Sequence, residues 1–219
     1  MIRRIAAGTL ILAVAISAHD VITTPITYSR EISRLLFSRC ASCHRPGGMA
    51  FSLVTYEAAR PWAKAIKEEV LERRMPPWGA VKGFGDFRDD RGLTQEQIEL
   101  ISDWVEGGAP EGPAALLPKL PDFANPPASQ ATAGIAVDGA MTLKSAVTLA
   151  GIQPAATKAG TTFMAVAERP DGTREPLLWL YNYNPKFAHP YWYSANLRLP
   201  AGTKIEVTPA GAVTLFPKR

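Results

Sequence analysis

The chain has 219 residues, 47% of them hydrophobic and 20% charged, which is the make-up of a folded protein with room for one large or two modest domains. A formal net charge of +4, scattered without any Lys/Arg block, offers no basic face for nucleic acid. The 19 prolines are the one mild excess.

The chain opens on "MIRR" and then runs almost wholly apolar from Ile5 to Ala18. A basic start, an apolar stretch and small residues at Ser17 and Ala18 predict a secretory signal peptide over 1–18. Fourteen helical residues span ~21 Å, short of the ~30 Å hydrocarbon core of a bilayer. The expected location is therefore periplasmic or otherwise exported, with association to a membrane left to partners.

Three helical patches follow. From Ser29, a candidate N-cap, Ile32, Leu35, Leu36 and Cys40 fall at helical spacing. From Thr55, Trp62, Ala63, Ile66, Val70 and Leu71 make an apolar stripe, with Pro61 marking a new first turn or a kink. From Thr94, with Gln97 three residues on, a capping box opens a helix whose face is Ile98, Ile101, Trp104 and Val105, closed by Gly107-Gly108.

Between Pro110 and Pro127 the periodicity dissolves, and six prolines predict an extended linker over 113–130. Beyond it the period changes to two: "MTLKSAVTL", "TTFMAVAE", "LLWLYNY", "NLRL" and "KIEVT" read as strands separated by turns such as Pro170-Asp171-Gly172. The expected fold class is two domains. An all-α domain over 25–112 precedes a small all-β antiparallel sandwich over 131–219.

The only two cysteines stand in "CASCH", Cys40 to His44. A redox-active disulfide lacks the strand that would precede it in a thioredoxin-like fold. A structural zinc ion wants four ligands, and only Cys40, Cys43 and His44 are at hand. Cys-x-x-Cys-His is the signature of covalent c-type haem attachment. Each thiol forms a thioether to one vinyl group, and the turn carrying both brings His44 under the iron as proximal ligand. For the distal ligand, Met49 lies only five residues beyond His44. Met141 and Met164 lie in strand-like runs, where a methionine is usually core. Met75 ends the second helix and is followed by Pro76-Pro77, which stiffen its loop, so Met75 is the expected distal ligand. Methionine opposite histidine favours ferrous iron and raises the reduction potential.

These residues carry a resemblance. "CASCHRPG", "FSLVTYEAA", "RRMPPW", "GFGDFRDDRGLTQEQI" and "WVEGGAPEG" are similar to a class of bacterial monohaem cytochrome c domains, which implies an all-α cytochrome c-like fold with His44 and Met75 as axial pair. A proline that relatives carry before Phe51 is missing. In many relatives that domain is fused to a β-sandwich. "GTTFMAVAERPDGTREPLLWLYNYN" followed by "LRLPAGTKIEV" resembles the C-terminal domain of copper type II, ascorbate-dependent monooxygenases. Where copper-binding members have two histidines, this chain has Ala155 and Thr157, and it stops before their methionine ligand. The resemblance thus implies a degenerate sandwich for which no copper is expected.

The second domain has one histidine, His189, in the aromatic loop "FAHPYWY". Its simplest role is a packed loop residue, the other being a place near the haem or in docking. The expectation is one covalent haem and an exported one-electron carrier, not an enzyme. Its sandwich would dock the carrier to redox partner proteins such as a membrane respiratory or oxidase complex. The alternative is a redox enzyme, a haem-fed monooxygenase or peroxidase-like protein using the sandwich.

Overall fold

The computed structural model describes residues 26–123, 133–155, 158–209 and 211–218. The expected signal peptide and Thr157 lie outside them. No helix among the described residues is long and apolar enough to cross a membrane.

The first helix forms because Thr27, in extended backbone, accepts a bond from the Arg30 amide and so caps the chain two residues earlier than Ser29. A π-helical turn, Tyr28–Ile32, runs directly into α1, Ser33–Arg39, and buries Tyr28, Ile32, Leu35 and Leu36. Thr55 caps α2, Tyr56–Ala59, through the Ala58 amide. Pro61 then starts a 3-10 turn, Arg60–Trp62, which leads into α3, Ala63–Leu71. Of the expected stripe, Ala63, Ile66 and Val70 are buried, whereas Trp62 and Leu71 face solvent. In α4, Gln95–Glu106, the capping box from Thr94 to Gln97 is present. Ile98, Ile101 and Trp104 pack against Tyr28 and the α3 face in one small core.

The described residues between 133 and 218 form two four-stranded antiparallel sheets. The strands are β1 (Ile135–Asp138), β2 (Ala140–Thr142), β3 (Val147–Ala155), β4 (Thr161–Glu168), β5 (Arg174–Tyr183), β6 (Tyr191–Leu199), β7 (Lys204–Thr208) and β8 (Ala212–Pro217). One sheet runs β1-β8-β3-β6 and the other β2-β7-β4-β5. Alternation sets the faces: Phe163, Ala165 and Ala167 of β4 point inward, as do Ile205 and Val207 of β7. Each large side chain so buried stabilises by about 1.5–3 kcal/mol. In β3 a register shift between Leu149 and Gly151 brings the chain so near β6 that a Cβ on Gly151 would sit 2.7 Å from the Tyr191 carbonyl oxygen. The edge strands on one side of the pair are β5 and β6.

The expected class, an all-α cytochrome c-like domain followed by a small sandwich, is corrected here. The described residues are mainly β, 25% of them helical and 32% strand. The longest helix among the described residues has 12 residues, and helix there is confined to short pieces by Pro61, by Pro76-Pro77 and by Gly79, Gly83, Gly85 and Gly92. The irregular stretch 76–91 is not part of the helical core at all. Its Trp78 and Phe87 are buried in the core of the sheets. Main-chain bonds from Tyr181 N to Gly79 O and from Val81 N to Trp179 O attach it to β5, and bonds from Arg88 N to Trp192 O and from Ser194 N to Asp86 O attach it to β6, each 2.9 Å. One loop thus covers the β5 and β6 edges, which would otherwise present unpaired backbone on that side.

Of the linker, residues 113–123 are described. They carry a 3-10 turn, Ala114–Leu116, and Phe123 packs on Phe37, Ala41 and Val54.

Candidate functional site

The Cys40–His44 turn is built by the end of α1. Cys40 N and Ala41 N both donate to Leu36 O, and the amides of Cys43 and His44 donate back to Cys40 O at 3.1 and 2.9 Å. The chain then doubles back. Gly47 takes the left-handed conformation at φ 72°, where a side chain would be strained although the space is open, and a Cβ on Gly48 would meet the Cys43 carbonyl oxygen at 2.4 Å. Ala50 N donates to Cys43 O and Leu53 N to His44 O, locking the returning strand against the turn.

This loop orients the imidazole. His44 Nδ1 lies 3.0 Å from Phe51 O, which fixes Nδ1 as the protonated nitrogen and leaves Nε2 as the one able to bind a metal. The Phe51 ring meets the His44 ring edge-on at 4.9 Å and stacks on Trp62 at 4.4 Å. The Phe51 and Trp62 rings are uncovered, 48% and 45% exposed, and Met49 is 75% exposed. Both thiols of the turn are free. Burial, with a smaller contribution from neighbouring Cys43, pushes the Cys40 thiol up to about 12, against the weaker pull of Arg39. A thiol so held is protonated at neutral pH and is a poor nucleophile for disulfide exchange, which depends on thiolate.

The two thiols, the imidazole with one free nitrogen and the uncovered aromatic surface fit a covalently attached haem. Cys40 and Cys43 would hold it, and His44 would supply one axial nitrogen. Among the described residues no three His, Cys, Asp or Glu side chains converge. That bears on ions held by side chains alone and leaves a porphyrin-borne iron untouched.

Met75 sits apart from this turn along the chain. Arg74 N and Met75 N both donate to Glu69 O as α3 ends, and Arg73 is left-handed at φ 54°. Met75 lines a recess of about 230 Å³ whose other walls include Pro77, Gly160, Tyr183 and Phe187, with none of Cys40, Cys43 or His44 among them. The recess is smaller than the about 300–1,000 Å³ of a typical small-molecule site.

His189 is a packed residue. Its ring stacks on Trp78 at 5.1 Å and tilts against Tyr191 at 4.6 Å, and Nδ1 lies 2.7 Å from Phe187 O. Nε2 is buried with no hydrogen-bond partner. Burial lowers its pKa below the ordinary imidazole value. Ala155 ends β3, beside Ala212 of β8. The residues that sequence reasoning missed are Trp78 and Phe87, whose contacts with Tyr191 of β6 join the Met75 loop to the sheets. Their only signal was an aromatic residue recurring in otherwise glycine-rich or proline-rich loops.

Searches against protein-family models, curated proteins and solved structures found no match to this chain.

Proposed function

We propose that the protein is an exported c-type haem protein that passes single electrons between redox partners, with one haem on Cys40 and Cys43 and iron held by His44 and Met75. The observation that carries this is the Cys-x-x-Cys-His turn with His44 Nδ1 engaged by the Phe51 carbonyl, which directs Nε2 outward as a ligand. The haem iron, when bound, supplies the one-electron couple. The chain's own residues do the rest. The Phe51 carbonyl holds the His44 tautomer and the orientation of its ring. The rings of Phe51 and Trp62 give an apolar surface that excludes water beside it. Met75 offers a neutral thioether, which favours the reduced state.

The high pKa of the Cys40 thiol supports this reading over a dithiol exchanger, since an exchanger depends on a lowered one. The resemblance of the helical motifs to monohaem cytochromes, and the leader at the N-terminus, point the same way. The partners are redox proteins, a membrane respiratory or oxidase complex being the class that suits an exported carrier.

The test is intact mass of protein made in a host that matures c-type cytochromes. The mass should exceed the mature chain by one haem that survives acid-acetone extraction, and the Cys40→Ala/Cys43→Ala double variant should carry none. Wild-type protein without covalent haem refutes the proposal.

A further inference from the structure

We infer that the β-sandwich is the frame that positions the Met75 loop, and that Tyr191 of β6, by donating its hydroxyl to the Trp78 carbonyl, is the positioning residue that keeps the Met75 thioether in place. This rests on the haem reading above.

Met75 is gripped from both sides. On one side its own amide is tied to Glu69 O at the end of α3. On the other, three residues on, Trp78 is only 6% exposed and is built into the sheets. Its ring meets Tyr191 edge-on at 4.9 Å and stacks on His189, its carbonyl accepts the Tyr191 hydroxyl, and the next residue bonds β5 through Gly79 O. Between the two anchors stand only Pro76 and Pro77, whose φ angles are fixed by their rings. The place of the Met75 backbone is therefore set by where β5 and β6 hold Trp78. Tyr191 is completely buried, and burial keeps its phenol protonated and so a donor.

A thioether is a neutral ligand, with no charge of its own to hold it on iron. Whether it stays is decided by how much freedom its loop has when it lets go. An unmoored loop gains conformational freedom on release, whereas a moored one gains little. Among the described residues the Tyr191 hydroxyl supplies the side-chain hydrogen bond from the sheets to the loop residues nearest Met75, so its loss releases the loop while sparing the ring's packing.

The experiment compares Tyr191→Phe with Tyr193→Phe in the haem-loaded full chain. Tyr193 is also buried and donates its hydroxyl at 3.2 Å, but to Leu177 O inside the sandwich, so it matches the chemistry without touching the Met75–Trp78 segment. In Tyr191→Phe, covalent haem should be retained, the far-red sulfur-to-iron band should weaken and the reduction potential should fall. Imidazole should bind the ferric form roughly tenfold more tightly, the factor that one lost buried hydrogen bond carries. Amide hydrogen exchange at Trp78 to Val81 should accelerate by a similar factor. Tyr193→Phe should change none of these. Equal effects in the two variants, or no effect of Tyr191→Phe with haem in place, overturn the inference and leave the haem reading standing. Wild-type protein without covalent haem refutes the haem reading itself. Should Tyr191→Phe fail to fold, exchange in the wild-type chain decides. Protection at Val81 and Arg88 equal to that of β5 and β6 supports the frame, and protection no greater than in the Arg45–Phe51 loop overturns it.

Discussion

Phe87→Ala tests whether the 76–91 stretch belongs to the sandwich. Phe87 is 8% exposed, lies nearly parallel to Tyr193 at 5.4 Å, tilts against Tyr191 at 5.4 Å and meets Trp78 edge-on at 6.4 Å. The chain narrows to admit it, since a Cβ on Gly85 would lie 2.4 Å from the Phe87 ring. Truncating a buried phenylalanine costs about 3–5 kcal/mol, the larger part being lost transfer energy and the cavity left behind. Each aromatic pair contributes roughly 0.5–1.5 kcal/mol of that. Against a total stability of about 5–15 kcal/mol this is a large share. With a urea slope of about 1–3 kcal/mol per molar, the midpoint should fall by roughly 2 M, read by far-UV circular dichroism, whose signal reports the sheets as well as the helices. Leu117→Ala, at an exposed position, should stay within about 0.5 kcal/mol of wild type. A Phe87→Ala midpoint as close to wild type as that of Leu117→Ala would show that the stretch is an ordinary surface loop.

Thr94→Ala removes the side chain that accepts from Gln97 N and should cost about 1 kcal/mol in chemical denaturation, with α4 fraying first. In the haem-loaded protein Met75→Ala should abolish the far-red band and admit external ligands, whereas Met49→Ala, on an exposed loop, should leave the band intact; the reverse outcome transfers the distal role to Met49. His189 gives a pH signature. Its folded pKa is lowered by burial, opposed by the Phe187 carbonyl and assisted by the Arg91 charge, so the unfolded chain takes up the proton more readily. Stability should be full above about pH 6.5 and decline as pH falls from there toward the depressed value, and His189→Gln should flatten that part of a melting-temperature profile.

The strands were legible where alternation was strict. "TTFMAVAE" and "KIEVT" mark the observed β4 and β7 to the residue, because a half-buried strand writes its period in the chain. The short strands β1 and β8 were not read, since "IAVD" and "AVTLFP" are too short or too evenly apolar to show a period. The capping box at Thr94 was legible because both partners lie within one turn. The N-cap at Thr27 was not, for Ser29 competes as an equally good capping residue. The mainly β character was hidden by the 76–91 stretch. Trp78 and Phe87 have neither helical nor alternating neighbours, and their partners in β5 and β6 lie about a hundred residues on. Of the site, the Cys40–His44 turn is a local pattern and could be seen at once. The Tyr191–Trp78 link is a property of the folded chain alone.

That link also has a temporal side. Trp78 and Tyr191 are separated by 113 residues, and Asp86 and Ser194 by 108. Bringing such distant points together costs about 2 kcal/mol more in chain entropy than closing a ten-residue loop. Contacts this non-local form late. At ordinary rates of synthesis, roughly 6–20 s pass between the appearance of Trp78 and that of Tyr191. Through that interval the Cys40–His44 turn is already made while Trp78 and Phe87 have nothing to pack against. The nascent chain therefore offers its thiols before its Met75 loop can be moored, and the last strands to arrive close a side that was open when the first helix was complete.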